Sequence, residues 1–164
     1  MKLYHGSYCS IETIDLQLCG AHTDFGKGFY LTPNRKHAVK RALQKAAEAG
    51  TKPVISAYEF NEEALTDASL KIKTFKGNTS EWAEFILKNR EYPAFTHDCD
   101  IVAGPIADDA LRKQFARFKA GIISVYELSE GLTFREDTFQ YCFCTKASLK
   151  YLKRYDSIRK DTDR

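Results

Sequence analysis

The sequence predicts one α+β domain, and three observations carry that prediction. Strand-length segments, apolar or alternating, are interleaved with amphipathic helical segments. Their order lacks the regular strand–helix–strand rhythm of a parallel sheet. No repeat, linker or low-complexity block divides the 164 residues. The expected domain covers 1–155, and 156–164 is a polar tail.

Taken in order, Lys2–Tyr8 reads as a first strand, followed by a looser surface segment, IETIDLQLCGAHT. Asp24-Phe25-Gly26-Lys27-Gly28 is turn chemistry, and Phe29–Thr32 reads as strand. Thr32-Pro33 supplies a hydroxyl cap and a first-turn proline for a helix with apolar residues at 38, 39, 42, 43, 46 and 47, stopped by Gly50. PVISAYEF (53–60) is a strand, and LKIKTF (70–75) an edge strand because lysines alternate in it. Asn78 is placed to cap a helix through TSEWAEFILKNR, with Glu81 completing a capping box. Asp100–Ala103 is a short buried strand turned by Gly104-Pro105, and ADDALRKQFARFKAG is an amphipathic helix ending at Gly121. ISVYELSEGL leans to helix, DTFQYCFCT (137–145) is the clearest alternating strand, and KASLKYLKRY closes the domain as a basic helix.

Composition narrows the function classes. Hydrophobic residues make up 43% and charged residues 29%, a globular balance, while a net charge of +3 is too small to argue for nucleic acid. No apolar run approaches a membrane span, and the N-terminus has no apolar stretch of signal-peptide length, so a cytoplasmic protein is expected. Cys9, Cys19, Cys99, Cys142 and Cys144 form no CxxC pair and read as reduced thiols. His5, His22, His37 and His97 are scattered without zinc-ligand spacing, so no metal site is expected.

Two stretches carry the candidate chemistry. In KLYHGS, strand alternation puts Leu3, His5 and Ser7 on one face and Tyr4 and Gly6 on the other, so an imidazole stands beside a hydroxyl and Gly6 leaves its backbone open to a ligand. DFGKGFYLT is neither a Walker loop nor a kinase DFG, since their companion motifs are absent. It remains a glycine turn feeding an aromatic strand, in which Tyr30 offers a flat face for a planar ring and Phe29 suits the core. In FQYCF, alternation sends Phe139, Tyr141 and Phe143 to one face and Thr138, Gln140, Cys142 and Cys144 to the other. Gln140 there suits a cleft or solvent equally. Glu136 and Asp137 are nearby carboxylates that read as solvated strand-end residues, Asp108-Asp109 suit a helix start, and Asp98 and Asp100 flank Cys99 without a visible partner. Trp82 reads as core. Lys146, Lys150, Lys153 and Arg154 form a basic stripe, ordinarily a solvated face.

HGS on a first strand, GKGFYLT some twenty residues later and an alanine-bearing helix together resemble the ADP-ribosyltransferase fold, in its diphtheria-toxin-like and poly-ADP-ribose-polymerase-like branch with a His-Tyr-Glu triad. Across nearly the whole chain, LYHGS, DFGKGFYLT, EWAEFILKNR, DIVAGPIADD and the late Q-x-x-F strand resemble a bacterial family known as DUF3990. The resemblance implies a split β-sheet core with flanking helices and NAD as substrate. It implies catalytic roles for His5, Tyr30 and Gln140: His5 on the adenosine ribose, Tyr30 against the nicotinamide ring, and Gln140 where the family carries glutamate. Gly6 through its backbone and Ser7 would hold the nicotinamide amide, and Gly28 and Phe29 would border the same dinucleotide site.

A glutamine there keeps a hydrogen bond but lacks the carboxylate's charge and cannot act as general base. The expectation is therefore mono-ADP-ribosyl transfer to a macromolecular acceptor, with NAD hydrolysis as a side activity. In Gln140→Glu, increased hydrolysis would place Gln140 at the expected site, and no effect would point to another strand residue. The family-level resemblance adds the toxin of a toxin–antitoxin pair, with an antitoxin protein as partner. A catalytically weak NAD- or ADP-ribose-binding module is the competing expectation, and a nucleic-acid-binding domain using the last helix is a third.

Overall fold

The structure is a computed structural model that describes residues 1–107, 111–131 and 138–155. Two sheets form its frame. In the first, β3 (Val54–Phe60) lies between β1 (Lys2–Ser7) and β7 (Leu152–Arg154), antiparallel to both. The second runs β2 (Phe29–Leu31), β6 (Phe139–Phe143), β5 (Ile101–Pro105), β4 (Ile72–Thr74), with β4 parallel to β5 and the other pairs antiparallel. A single bridge stitches the sheets together: Tyr4 N–H donates to Thr32 O at 2.8 Å, and Thr32 N–H returns to Tyr4 O at 3.0 Å.

The alternation read from the sequence sorts side chains between two larger cores, with a third, smaller one of Ala38, Ala42 and Ile55. Leu3, Phe29, Leu31, Tyr58, Phe60, Tyr141 and Phe143 fill the core shared by both sheets. Cys142 lies on the opposite face of β6, in a core with Phe25, Phe75, Trp82 and Ile86. Trp82 is fully buried there and its indole N–H donates to Pro105 O at 3.1 Å, which meets the need of a buried indole for an acceptor.

Five helices are described: α1 (Arg35–Ala49), α2 (Ser80–Glu91), α3 (Leu111–Lys119), α4 (Val125–Gly131) and α5 (Lys146–Leu149). Helix α1 is capped by Asn34, whose side chain accepts from Lys36 N, rather than by Thr32. Thr32 is held extended by its bridge to Tyr4, so the helix begins after it. Only Ala38, Ala42 and Ala46 of its expected apolar face are buried, while Leu43 is 53% exposed. Helix α2 is capped by Thr79 rather than Asn78, one residue later than expected.

Gly104 and Pro105 continue β5 instead of turning it, because β6 offers ladder partners in Gln140 and Phe139. The expected basic C-terminal helix is one turn long. Thr145 closes a capping box with Ser148, and the chain then returns as β7 along the free edge of β3. Lys153 stands opposite Glu59, and Arg154 pairs with Glu12, so the predicted basic stripe is not a helix face. Asp108, Asp109, Glu136, Asp137 and the 156–164 tail lie outside the described residues.

Candidate functional site

The seam between the sheets is where the predicted residues gather. Tyr4 directs its N–H and C=O to β2, and strand alternation points those of Gly6 to the same side. No β2 residue pairs with Gly6, so the strands part immediately beyond the bridge. His5 sits at this divergence. Its ring stacks on Phe29 with centroids 4.4 Å apart, and its Nδ1 lies 2.8 Å from Tyr30 O. A carbonyl can only accept, so Nδ1 carries the proton and Nε2 is left as an acceptor.

Burial lowers the His5 pKa to about 4, against the opposing pull of the Tyr30 carbonyl and with help from the Lys45 and Arg41 charges. The imidazole is therefore neutral at physiological pH. Because the folded pKa lies below the unfolded value, the unfolded chain binds the extra proton between them. Stability is full above about pH 6.5 and is expected to fall as pH drops toward 4. A His5→Phe variant should lose part of that acid sensitivity in a Tm-versus-pH series; an unchanged slope would contradict the assignment.

Directly across the ladder from His5 stands Ser56, on the same face. It is 1% exposed and its hydroxyl has no hydrogen-bond partner. A buried orphan of this kind is uncommon. Ser7, also buried, shares the His5 face as expected. Gly6 departs from expectation. A Cβ there would overlap the Ala38 carbonyl oxygen and come within 2.8 Å of Ala42 N. Its missing side chain thus admits α1, and only its backbone edge faces the gap.

Tyr30 and Gln140 project from the other face of the second sheet. Tyr30 is paired with Cys142, which places Gln140 diagonally across from it. The Tyr30 hydroxyl accepts from Phe25 N at 2.9 Å, lies 2.8 Å from Thr23 Oγ1 and donates to Gly26 O at 2.7 Å. Burial pushes its pKa well up, so it stays a phenol that ties down the 23–26 loop. Gly26, at φ 80°, supplies the left-handed step this loop requires. Gly28 has a different reason to be glycine: a Cβ there would overlap Cys142 Sγ and stand 2.8 Å from Phe143 O. Phe29 is buried in the shared core and supports the His5 ring.

Gln140 is 8% exposed, and its Nε2 donates to Asp24 Oδ2 at 2.8 Å. Asp24 is itself buried. Its Oδ1 accepts from Arg90 Nε at 2.8 Å and from Nη2, and Ala107 N–H approaches Oδ2 at 3.4 Å. A carboxylate therefore does stand beside Gln140, but it comes from the DFG turn rather than from Glu136 or Asp137. Sequence reading missed Asp24 and Arg90. The available signal was an aspartate opening a glycine turn that has no exposed role.

The structure thus joins His5 to Tyr30 through the Tyr30 main chain and Tyr30 to Gln140 through the 23–26 loop, with the His5 side chain on the opposite side of β2 from the other two. A cavity of about 500 Å³ lies beside the loop, lined by His22, Lys27, Asn89, His97 and Cys144 among others, and none of the three predicted catalytic residues lines it. His97 has both ring nitrogens engaged, Nδ1 by Cys99 N–H and Nε2 by Phe25 O. Asp98 pairs with Lys71, and Asp100 holds Lys71 N and the Thr145 hydroxyl, so both have structural partners. Among the described residues no cluster of His, Cys, Asp or Glu could hold a metal ion, and no helix is long and apolar enough to cross a membrane.

Fold and seam define a two-sheet α+β protein with a neutral histidine at the point where the sheets separate. A family model described as "Protein of unknown function (DUF3990)" matches residues 1–154, and the chain belongs to that family. Neither the curated proteins nor the solved structures contain a match.

Proposed function

We propose that this chain is an NAD-dependent mono-ADP-ribosyltransferase acting on a macromolecular acceptor, with slow NAD hydrolysis as a side reaction. One observation carries the reading: His5, fixed through Nδ1 and kept neutral where β1 and β2 part, has Nε2 left as an acceptor. Ribose hydroxyls are donors that such a nitrogen accepts. Across the ladder from it the buried Ser56 hydroxyl has no hydrogen-bond partner, and Gly6 turns a backbone edge to the gap. The resemblance of HGS and GKGFY to ADP-ribosyltransferases supports the same reading, while Gln140 departs from the glutamate expected on the late strand.

The chemistry NAD supplies when bound is an N-glycosidic bond whose cleavage leaves positive charge on the ribose. By the resemblance, Gln140, whose amide Asp24 holds, stands where the family's charge-stabilising glutamate would be. An uncharged acceptor in place of a carboxylate weakens catalysis on the order of a hundredfold. It also supplies no general base for chain elongation. A second reading, an NAD- or ADP-ribose-binding module, is favoured by one fact: Arg90 already neutralises Asp24.

Nicotinamide release decides between them. Wild type is expected to release nicotinamide from NAD, and His5→Ala to cut the rate at least about tenfold. No release together with His5-dependent NAD binding would favour the module, and neither activity nor binding would overturn both. Ladders of poly-ADP-ribose would contradict the mono-transfer assignment. The toxin role belongs to the same proposal, tested by whether a neighbouring gene product blocks nicotinamide release.

A further inference from the structure

We infer that Arg41 and Lys45 of α1, with Lys27 just before β2, form the subsite that takes the diphosphate of the dinucleotide. The inference rests on the dinucleotide reading above and deepens it. Its starting point is the close seating of α1 on β1: Gly6 has no Cβ, and Ala38 and Ala42 occupy the space. Arg41 and Lys45 are four residues apart, and each follows one of those alanines by three. They therefore form the row beside the buried alanine stripe, at the β1 edge. Both charges reach His5. The Lys45 charge also reaches Cys19, as does that of Lys27, so Lys45 lies between the His5 end of α1 and the turn before β2.

These cations lack the ion pairs that several other lysines form, although the Glu48 charge acts on Lys45 from one helical turn away. Lys71, Lys73, Lys88 and Lys119 each form an ion pair with a carboxylate. Among the described residues, no carboxylate lies at ion-pair distance from Arg41, Lys45 or Lys27, and Arg41 reaches only the Gln44 amide, at 3.1 Å. Lys45 is half-buried, and burial followed by the Arg41 charge lowers its pKa. Two cations held together, one partly desolvated and neither paired, repel each other until an anion joins them. A diphosphate offers several acceptor oxygens and more than one negative charge, which suits a guanidinium and two ammonium groups spread along a gap. A lone carboxylate would satisfy only one of them.

The test is equilibrium binding of NAD, ADP-ribose, inorganic pyrophosphate and nicotinamide to the full chain. Lys45→Gln and Arg41→Gln are each expected to weaken NAD, ADP-ribose and pyrophosphate about tenfold, a hydrogen bond to a charged group lost. Nicotinamide binding should not change. Lys45→Arg should retain most of the affinity. Lys40→Gln, the same charge change on the exposed side of α1, should have no effect. Unchanged NAD and pyrophosphate affinity in both variants would overturn the inference, as would an equal loss for Lys40→Gln or for nicotinamide. Pyrophosphate binding that depends on Lys45 without any NAD binding would support the anion subsite and overturn the dinucleotide reading. Wild type binding neither would end both.

Discussion

Replacing Asp24 with alanine is expected to lower stability by about 3 kcal/mol and Tm by roughly 6–12 °C. The carboxylate is 6% exposed and serves three donors from three parts of the chain: Arg90 on α2, Gln140 on β6 and the Ala107 N–H beyond β5. Its removal strands a guanidinium and a buried amide together. Arg90 keeps some access to water, which holds the loss to the lower end for a broken buried pair. Asp24→Asn preserves an acceptor and should cost less. Denaturant and thermal unfolding measure both, and an alanine variant within about 2 °C of wild type would show that Asp24 does not anchor these elements.

Gln140→Glu is expected to destabilise the protein by roughly 2–3 kcal/mol at pH 7 without raising nicotinamide release. The structure changes the meaning of this substitution. The Gln140 Nε2 donor faces Asp24 Oδ2 at 2.8 Å, so a carboxylate at position 140 would lose that bond and meet a like charge. Its folded pKa would rise above the unfolded value of about 4.3. The folded state would then bind the extra proton, so stability would be intact below about pH 4.3 and lost as pH rises through the elevated folded value. Pairing the change with Asp24→Asn restores a donor opposite the carboxylate. That double variant, not the single one, is expected to recover stability and to speed nicotinamide release. A single variant as stable as wild type at pH 7 would mean that the two side chains do not touch.

Much of the frame was legible because it rests on local periodicity. The two faces of FQYCF and the placement of Leu3, His5 and Ser7 follow from a period of two, and Gly50 ends α1 in the left-handed conformation its residue type favours. What escaped is non-local. Gln140 and Asp24 are 116 residues apart, and nothing in either segment names the other. Gly6 read as an opening for a ligand because its true neighbour, α1, arrives from another part of the chain. Residues 152–154 continued a helical pattern until the vacant edge of β3 claimed them as strand. The α1 cap slipped by two residues because a tertiary backbone bond held Thr32 extended.

The lone rung between Tyr4 and Thr32 has a consequence for how such a gap evolves. A long ladder would fix the angle between the sheets through backbone geometry, and side-chain changes could hardly alter it. With one rung, the angle is set by the volumes of Leu3, Phe29, Leu31, Tyr58 and Phe60, which wedge the sheets apart from inside. Substitutions in that core away from the seam, at Tyr58 or Phe60, can therefore widen or narrow the opening while the polar groups around it keep their identity. Selectivity for the size of what enters can drift independently of the chemistry that receives it.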